Sequence, residues 1–225
     1  MNESNEIIKI VLLNGNAGDG ITSLINVFFG KSFNDIDGIS TLNPYFLEGK
    51  FYYKNKYYNY TMWDSAGGQE KFRNRKKLMI TDSKIILVVY SIESKSSLDI
   101  AKYWIKLVKE IKQYEKDNNY IIALIANKID LYLYESQEVS SEEGENAAKE
   151  HGVVFFETSA KNNADSFKEF VNELIMNFIE KTDPFVTHAE KIAKIKAEKA
   201  KIKADEFAKA KVKSNLKSLN KYYDF

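Results

Sequence analysis

Two polar segments, each following a short apolar run, carry the residue types needed to bind a flat polar ring. Asn127-Lys128-Ile129-Asp130 follows Ile121 to Ala126, and Glu157-Thr158-Ser159-Ala160-Lys161 follows Val153 to Phe156. A carboxylate accepts hydrogen bonds from both the ring N–H and the exocyclic amine of guanine, and adenine lacks that pair of donors. The two segments together predict a guanine site formed by Asn127, Lys128, Asp130, Ser159, Ala160 and Lys161.

Each side chain of the predicted guanine site has a chemical role. The aliphatic stem of Lys128 can lie over the ring, Asn127 can tie neighbouring loops together, and the backbone N–H groups from Ser159 onward can meet the guanine carbonyl. Either segment alone fits a plain surface turn, and the guanine interpretation depends on finding both.

A glycine-containing loop between a predicted strand, Ile7 to Leu13, and a predicted helix, Ile21 to Phe29, is suited to binding phosphate. Backbone N–H groups at a helix N-terminus attract anions. The usual phosphate-loop pattern has Lys where this chain has Ile21, and Asp19 adds a negative charge nearby. One or two lost charge-assisted hydrogen bonds would cost about 10- to 10⁴-fold in affinity. The predicted phosphate-binding residues are Gly15, Asn16, Ala17, Gly18, Asp19, Gly20, Ile21 and Thr22.

The segment Trp63-Asp64-Ser65-Ala66-Gly67 ends a predicted strand and offers groups for a metal ion and a phosphate. Asp64 can hold Mg²⁺, commonly through water, because this ion keeps part of its hydration shell. The backbone N–H of Gly67 can approach a terminal phosphate. Gln69 follows and is the predicted catalytic residue, placed to orient an attacking water.

The elements that must position these segments alternate between short apolar runs and amphipathic stretches. Further buried strands are predicted at Ile85 to Tyr90 and Ile121 to Ala126, and a helix is predicted over Leu98 to Tyr114. Tyr45 to Tyr53 and Tyr57 to Asp64 predict a hairpin. This alternation predicts an α/β fold with a mostly parallel sheet, whose ligands bind at the carboxyl ends of the strands.

Composition excludes several classes of function. The chain has 225 residues and no cysteine, which rules out disulfides, thiolate metal sites and a lipid anchor on Cys. The longest apolar run, Tyr120 to Ala126, has seven residues, too few to span a bilayer, and the start of the chain is too polar for a signal peptide. The expected location is therefore cytoplasmic.

The C-terminal part of the chain is basic, with eleven Lys and four acidic residues in 191–225, whereas residues 1–190 carry a net charge of −6. Its Ala- and Lys-rich composition favours a helix. Three interpretations stay open for residues 186–225: a solvated or partly disordered extension, a peripheral helix on an anionic membrane surface, and a helix that binds a partner. Nucleic acid is a poor candidate, because no aromatic residue interleaves with the lysines of 191–206.

Three motifs, Trp-Asp-Ser-Ala-Gly-Gly-Gln-Glu-Lys-Phe, Asn-Lys-Ile-Asp and Glu-Thr-Ser-Ala-Lys, together resemble the Ras superfamily of small GTPases, closest to the Rab branch. The resemblance covers about residues 6–181. It implies a P-loop NTPase domain at 1–181, with a six-stranded sheet and helices on both faces, followed by a basic helical tail at 182–225. It also implies GTP or GDP with Mg²⁺ held by Thr22 and Thr41, and regulator and effector proteins at residues 31–46 and 64–77.

The chain departs from that family at three places. Ile21 replaces the phosphate-loop Lys, Gly67-Gly68 adds a glycine before Gln69, and Leu42-Asn43-Pro44-Tyr45 replaces the switch I sequence typical of Rabs. We therefore expect a guanine-nucleotide switch with slow or partner-assisted GTP hydrolysis. The alternatives are a pseudo-GTPase that binds nucleotide weakly and serves as a scaffold, and an adaptor that acts through its tail.

Overall fold

The computed structural model describes residues 2–33, 43–65, 73–116, 119–132 and 136–183. By contacts the chain divides into two units, Met1–Ile179 and Glu180–Phe225. No helix among the described residues combines the length and the apolar character needed to cross a bilayer.

The elements, in chain order, are β1 Asn2–Asn14, α1 Ile21–Phe28, β2 Tyr45–Tyr53, β3 Lys56–Asp64, α2 Arg73–Ile80, β4 Ile85–Ser91, α3 Lys95–Lys112, β5 Ile121–Asn127, α4 Ser141–Glu150, β6 Val154–Glu157 and α5 Ala164–Thr182.

The six strands form one sheet in the order β2-β3-β1-β4-β5-β6. The pair β2 and β3 is antiparallel, and every other neighbouring pair is parallel. The hairpin turns at Lys54 and Asn55, whose φ angles of 47° and 63° suit the tight turn that joins twisted strands. The predicted α/β fold with one antiparallel edge is confirmed.

Helices cover both faces of the sheet. On one face, α2, α3 and α4 pack on a core that includes Ile80, Leu98 and Ile105. On the other face, Phe28 of α1 meets Phe167 of α5 edge to face at 6.4 Å, and Phe156 of β6 stacks on Phe170 of α5 at 4.1 Å. All seven residues of β4 are buried, because a central parallel strand has a helix layer above and below it.

Helix α2 is a described helix that the sequence patterns did not indicate. Helix α2 spans Arg73–Ile80, and its buried residues are Lys76, Met79 and Ile80. Their spacing is helical, but a lysine at a core position hides the apolar pattern.

Candidate functional site

The described parts of the predicted site segments meet at one edge of the sheet, where the parallel strands have their carboxyl ends. Strand β1 ends at Asn14, β3 at Asp64, β5 at Asn127 and β6 at Glu157. Because β3, β1, β4, β5 and β6 are successive neighbours, these strand ends lie side by side. The described strand ends therefore lie along one rim, where a mostly parallel sheet is expected to bind its ligands.

The loop from Gly15 to Gly20 is fixed by the backbone at both ends. At its start the Gly15 N–H donates to the Val89 carbonyl at 2.9 Å, and at its end the Leu24 N–H donates to the Gly20 carbonyl at 2.9 Å. Gly18 and Gly20 both have φ of +88°, which non-glycine residues rarely adopt. Helix α1 begins directly after this loop, so its N-terminal N–H groups are available to an anion.

Two of the loop glycines also leave no room for a side chain. A Cβ on Gly15 would lie 2.2 Å from the Ser97 carbonyl oxygen, and a Cβ on Gly20 would lie 2.5 Å from Asn127 Nδ2. The loop therefore packs directly on the start of α3 and on the end of β5. This close packing joins the predicted phosphate loop to the predicted guanine site.

The Asp19 side chain points into the protein. It is 2% exposed, and its carboxylate accepts hydrogen bonds from the Asn16 N–H and from Ser97 Oγ, the latter at 2.8 Å. Burial raises the pKa of Asp19 to about 6, although its hydrogen bonds and the charge of Lys128 act in the opposite direction. The carboxylate of Asp19 thus holds the shape of the loop and is not aimed outward at a ligand.

We expect Asp19 to make stability depend on pH. Because its pKa is raised from 3.8 to about 6, the folded protein keeps a proton that the unfolded chain has already released between those values. The free energy of unfolding should fall by up to about 3 kcal/mol as pH rises through this window. In Asp19→Asn this contribution is absent, so the variant should gain stability relative to the wild type from pH 4 to pH 7, as measured by urea unfolding.

The exposed Asp99, on the surface of α3, provides the control for this pH series. Asp99→Asn, which removes an exposed carboxylate, should not reproduce the gain in stability of Asp19→Asn. If Asp19→Asn runs parallel to the wild type, burial does not shift the titration of Asp19.

Thr22 and Asp64 form the described part of the predicted metal site. Thr22 Oγ1 donates to Asp64 Oδ2 at 2.6 Å, which brings a hydroxyl and a carboxylate together beside the phosphate loop. Hard oxygen ligands of this kind suit Mg²⁺. These two residues therefore fit the ion, and Thr41, the third predicted ligand, lies outside the described residues.

Asn127 connects the three predicted segments. Its Nδ2 donates to the Asp19 carbonyl at 2.8 Å, and its Oδ1 accepts from the Ala160 N–H at 3.3 Å. The side chain is 1% exposed, so both hydrogen bonds are shielded from water. Asn127 therefore ties the neighbouring loops together.

The remaining guanine-site residues surround Asp130. Ser159 Oγ donates to Asp130 Oδ1 at 2.5 Å and accepts from the Lys161 N–H at 3.2 Å. Asp130 is only partly buried, so its carboxylate is accessible from the rim. The arrangement can orient an acceptor toward a ring with two adjacent donors.

Lys128 extends along the rim in a left-handed backbone conformation, with φ of +67°. Its Nζ pairs with Glu93 Oε2 at 2.7 Å. These two side chains and the loop residues Asn16 to Asp19 line a cavity of about 380 Å³. The cavity lies between the predicted phosphate loop and the segment 91–94 at the end of β4, with Lys128 of the predicted base site beside it.

Of the other predicted residues, Gly67 and Gln69 lie outside the described part of the chain, so their roles stay predictions. Sequence patterns missed two residues that the fold brings to the site. Ser97 contacts the loop from α3, and Lys76 on α2 donates to Asn14, directly before the loop. Neither belongs to a motif, and the one available signal was the helical spacing of Lys76 with Met79 and Ile80.

Comparison with protein-family models gives a match to the Ras family. The match spans residues 9–182, more than three quarters of the chain. It includes the last part of β1, the phosphate loop, the pair of Thr22 and Asp64, and both guanine-site segments.

Proposed function

Because this chain belongs to the Ras family of small GTPases, we propose that it is a Rab-type guanine-nucleotide switch with slow or partner-assisted GTP hydrolysis. The observation that carries the proposal is the double hydrogen bond of Asn127, to Asp19 on the phosphate loop and to Ala160 on the base side. A phosphate loop and a base site tied by one buried amide are suited to a ligand that contains both parts.

Different described residues would bind the base, the phosphates and the metal ion. Asp130 and the backbone N–H groups after Ser159 would hold the guanine, and the N-terminal N–H groups of α1 would hold phosphate. Thr22 and Asp64 would hold Mg²⁺, which would neutralise charge on the phosphates. Gln69 is proposed to orient the attacking water, and an arginine from a partner is expected, since Arg73 and Arg75 are the only two in the chain.

A second candidate is a pseudo-GTPase scaffold, and the observation that favours it is Ile21. This residue begins α1, is 5% exposed, and supplies no charge where the phosphate-loop pattern has Lys. Such a protein would bind nucleotide weakly or statically and would act through protein contacts.

Nucleotide analysis of the purified full-length protein tests the proposed function. Guanine nucleotide in the supernatant after denaturation, together with slow conversion of bound GTP to GDP that a partner extract accelerates, is the result expected of a switch. Bound nucleotide that is never hydrolysed would favour the scaffold. If titration with Mg²⁺-GTP to millimolar concentration gives no binding, the switch proposal is wrong.

Partner contacts and cellular location belong to the same proposal. We place regulator and effector binding at residues 31–46 and 64–77, where Phe46 stacks on Trp63 at 4.4 Å and is 43% exposed. A cytoplasmic protein whose basic segment 186–225 contacts anionic membranes would float with anionic liposomes. A chain shortened to residue 185 should not float. Equal flotation of both chains would show that the tail does not bind the membrane.

A further inference from the structure

We propose that Lys76 of α2 supplies the phosphate-site cation that Ile21 does not, and that it does so from outside the phosphate loop. The inference rests on the proposed function, because it concerns the phosphates of a bound guanine nucleotide. It assigns a nucleotide-binding role to a residue that lies in no nucleotide-binding motif of the sequence.

The first observation is where the Lys76 ammonium lies. Its Nζ donates to Asn14 Oδ1 at 2.5 Å, and Asn14 Nδ2 donates to the Asn16 carbonyl at 2.7 Å. Asn14 is the last residue of β1, directly before the phosphate loop. A cation carried by α2 is therefore one side chain away from the loop backbone.

The second observation is how little of the hydrogen-bonding capacity of Lys76 is used. An ammonium has three donors, and within the part of the chain that the structure describes, Asn14 provides the hydrogen-bond acceptor for Lys76. The Lys76 side chain also lies over the Trp104 ring at 5.2 Å, a contact that stabilises the charge and leaves its donors unused. Two donors are thus available to an anion.

The third observation is the electrostatic surroundings of Lys76, which is 2% exposed. Burial lowers the pKa of Lys76 to about 8, while attraction to Asp19 and Asp64 acts to raise it. Both carboxylates belong to the site, since Asp19 supports the phosphate loop and Asp64 bonds to Thr22. A buried cation with incomplete hydrogen bonding is costly, and a phosphate would satisfy it.

Other lysines of the described residues do not meet these conditions. Lys31 follows the C-terminal end of α1, is exposed, and is separated from the loop by the length of the helix. Lys128 is already paired with Glu93. Lys112 is as buried as Lys76 but bonds to the Ser83 carbonyl and to Glu115, at the opposite edge of the sheet.

The test measures the affinity of the full-length protein for Mg²⁺-GDP and for guanosine, which has the base and no phosphate. In Lys76→Met the affinity for GDP should fall about 10-fold or more, whereas the affinity for guanosine should stay at the wild-type value. Lys76→Gln, which keeps a donor for Asn14 and removes the charge, should give the same loss if the Met variant folds poorly. Lys112→Met is the matched control, because it removes a buried lysine far from the site and should leave the affinity for GDP unchanged.

A double-mutant cycle with residue 21 makes the test specific. Ile21→Lys in the Lys76→Met protein should restore GDP affinity, and its gain there should exceed its gain in the wild type, because two cations serving one phosphate site are not additive. If Lys76 is only a counter-ion of Asp19 and Asp64, the affinities for GDP and guanosine will fall together and Ile21→Lys will not rescue, which overturns the inference.

The failures of the two proposals are distinguishable. If the wild type binds GDP and both Lys76 variants bind it with the same affinity, the inference is wrong and the proposed function stands. A wild-type protein that binds neither GDP nor GTP overturns both.

Discussion

Replacement of Asp130 by Asn is expected to weaken GDP binding by about 10²- to 10⁴-fold. Two hydrogen bonds from guanine to a charged acceptor would be lost, each worth about 1.5–3 kcal/mol. Ser159 Oγ would still have an oxygen at position 130 to donate to, so the fold of the loop should be retained. Isothermal titration with Mg²⁺-GDP measures the loss.

The same variant should change the choice of base. Xanthine carries a carbonyl where guanine carries the exocyclic amine, and the amide of Asn can donate to a carbonyl. Asp130→Asn should therefore prefer xanthosine diphosphate to GDP, the reverse of the wild type. Asp165→Asn, a change at an exposed aspartate in the first turn of α5, should keep the wild-type preference. If Asp130→Asn retains the selectivity for guanine, Asp130 does not bind the base.

The second large effect is expected from Ile21→Lys, which should tighten GTP binding by about 1.5 kcal/mol or more, on the order of 10-fold. Residue 21 opens α1, directly after the glycine loop, so an ammonium there joins the N-terminal N–H groups of the helix. Competition with a fluorescent GTP analogue measures the gain.

Ile21→Met is the matched control for this gain, because it lengthens the side chain without adding charge. It should bind GTP no more tightly than the wild type. If Ile21→Lys and Ile21→Met bind GTP equally, the loop does not bring residue 21 to the phosphates, and the interpretation of the phosphate loop is wrong.

The proposed function and the role of Lys76 together give a physical picture of an altered phosphate site. The backbone of the loop keeps the conformation set by Gly15, Gly18 and Gly20, while the cation is carried by a different element. Because α2 carries Lys76 and directly follows residues 64–72, a phosphate contact made by this lysine would couple nucleotide binding to the position of α2. The affinity ratios of the Lys76 variants for GDP and GTP would measure that coupling.

The sequence alone was sufficient for the strands and for the loops that follow them. The runs that became β4 and β5 are apolar throughout because each strand is covered on both faces, and such local patterns are visible without a structure. Asn127 is the last residue of β5, and Asp130 and Ser159 follow strand ends within three residues, so the alternation of strands and helices already placed them on one rim.

Only the tertiary structure decided how the charges around the phosphate loop are arranged. Asp19 turns inward because Ser97, 78 residues along the chain, offers a hydroxyl there, and Lys76 becomes a buried site residue because Asn14, 62 residues before it, accepts its hydrogen bond. Contacts over such separations leave no periodicity in the sequence, and a lysine normally indicates the solvent side of a helix. Strand and loop positions follow from short-range patterns, whereas the direction and ionisation of a buried charge depend on whichever partners the completed fold brings to it.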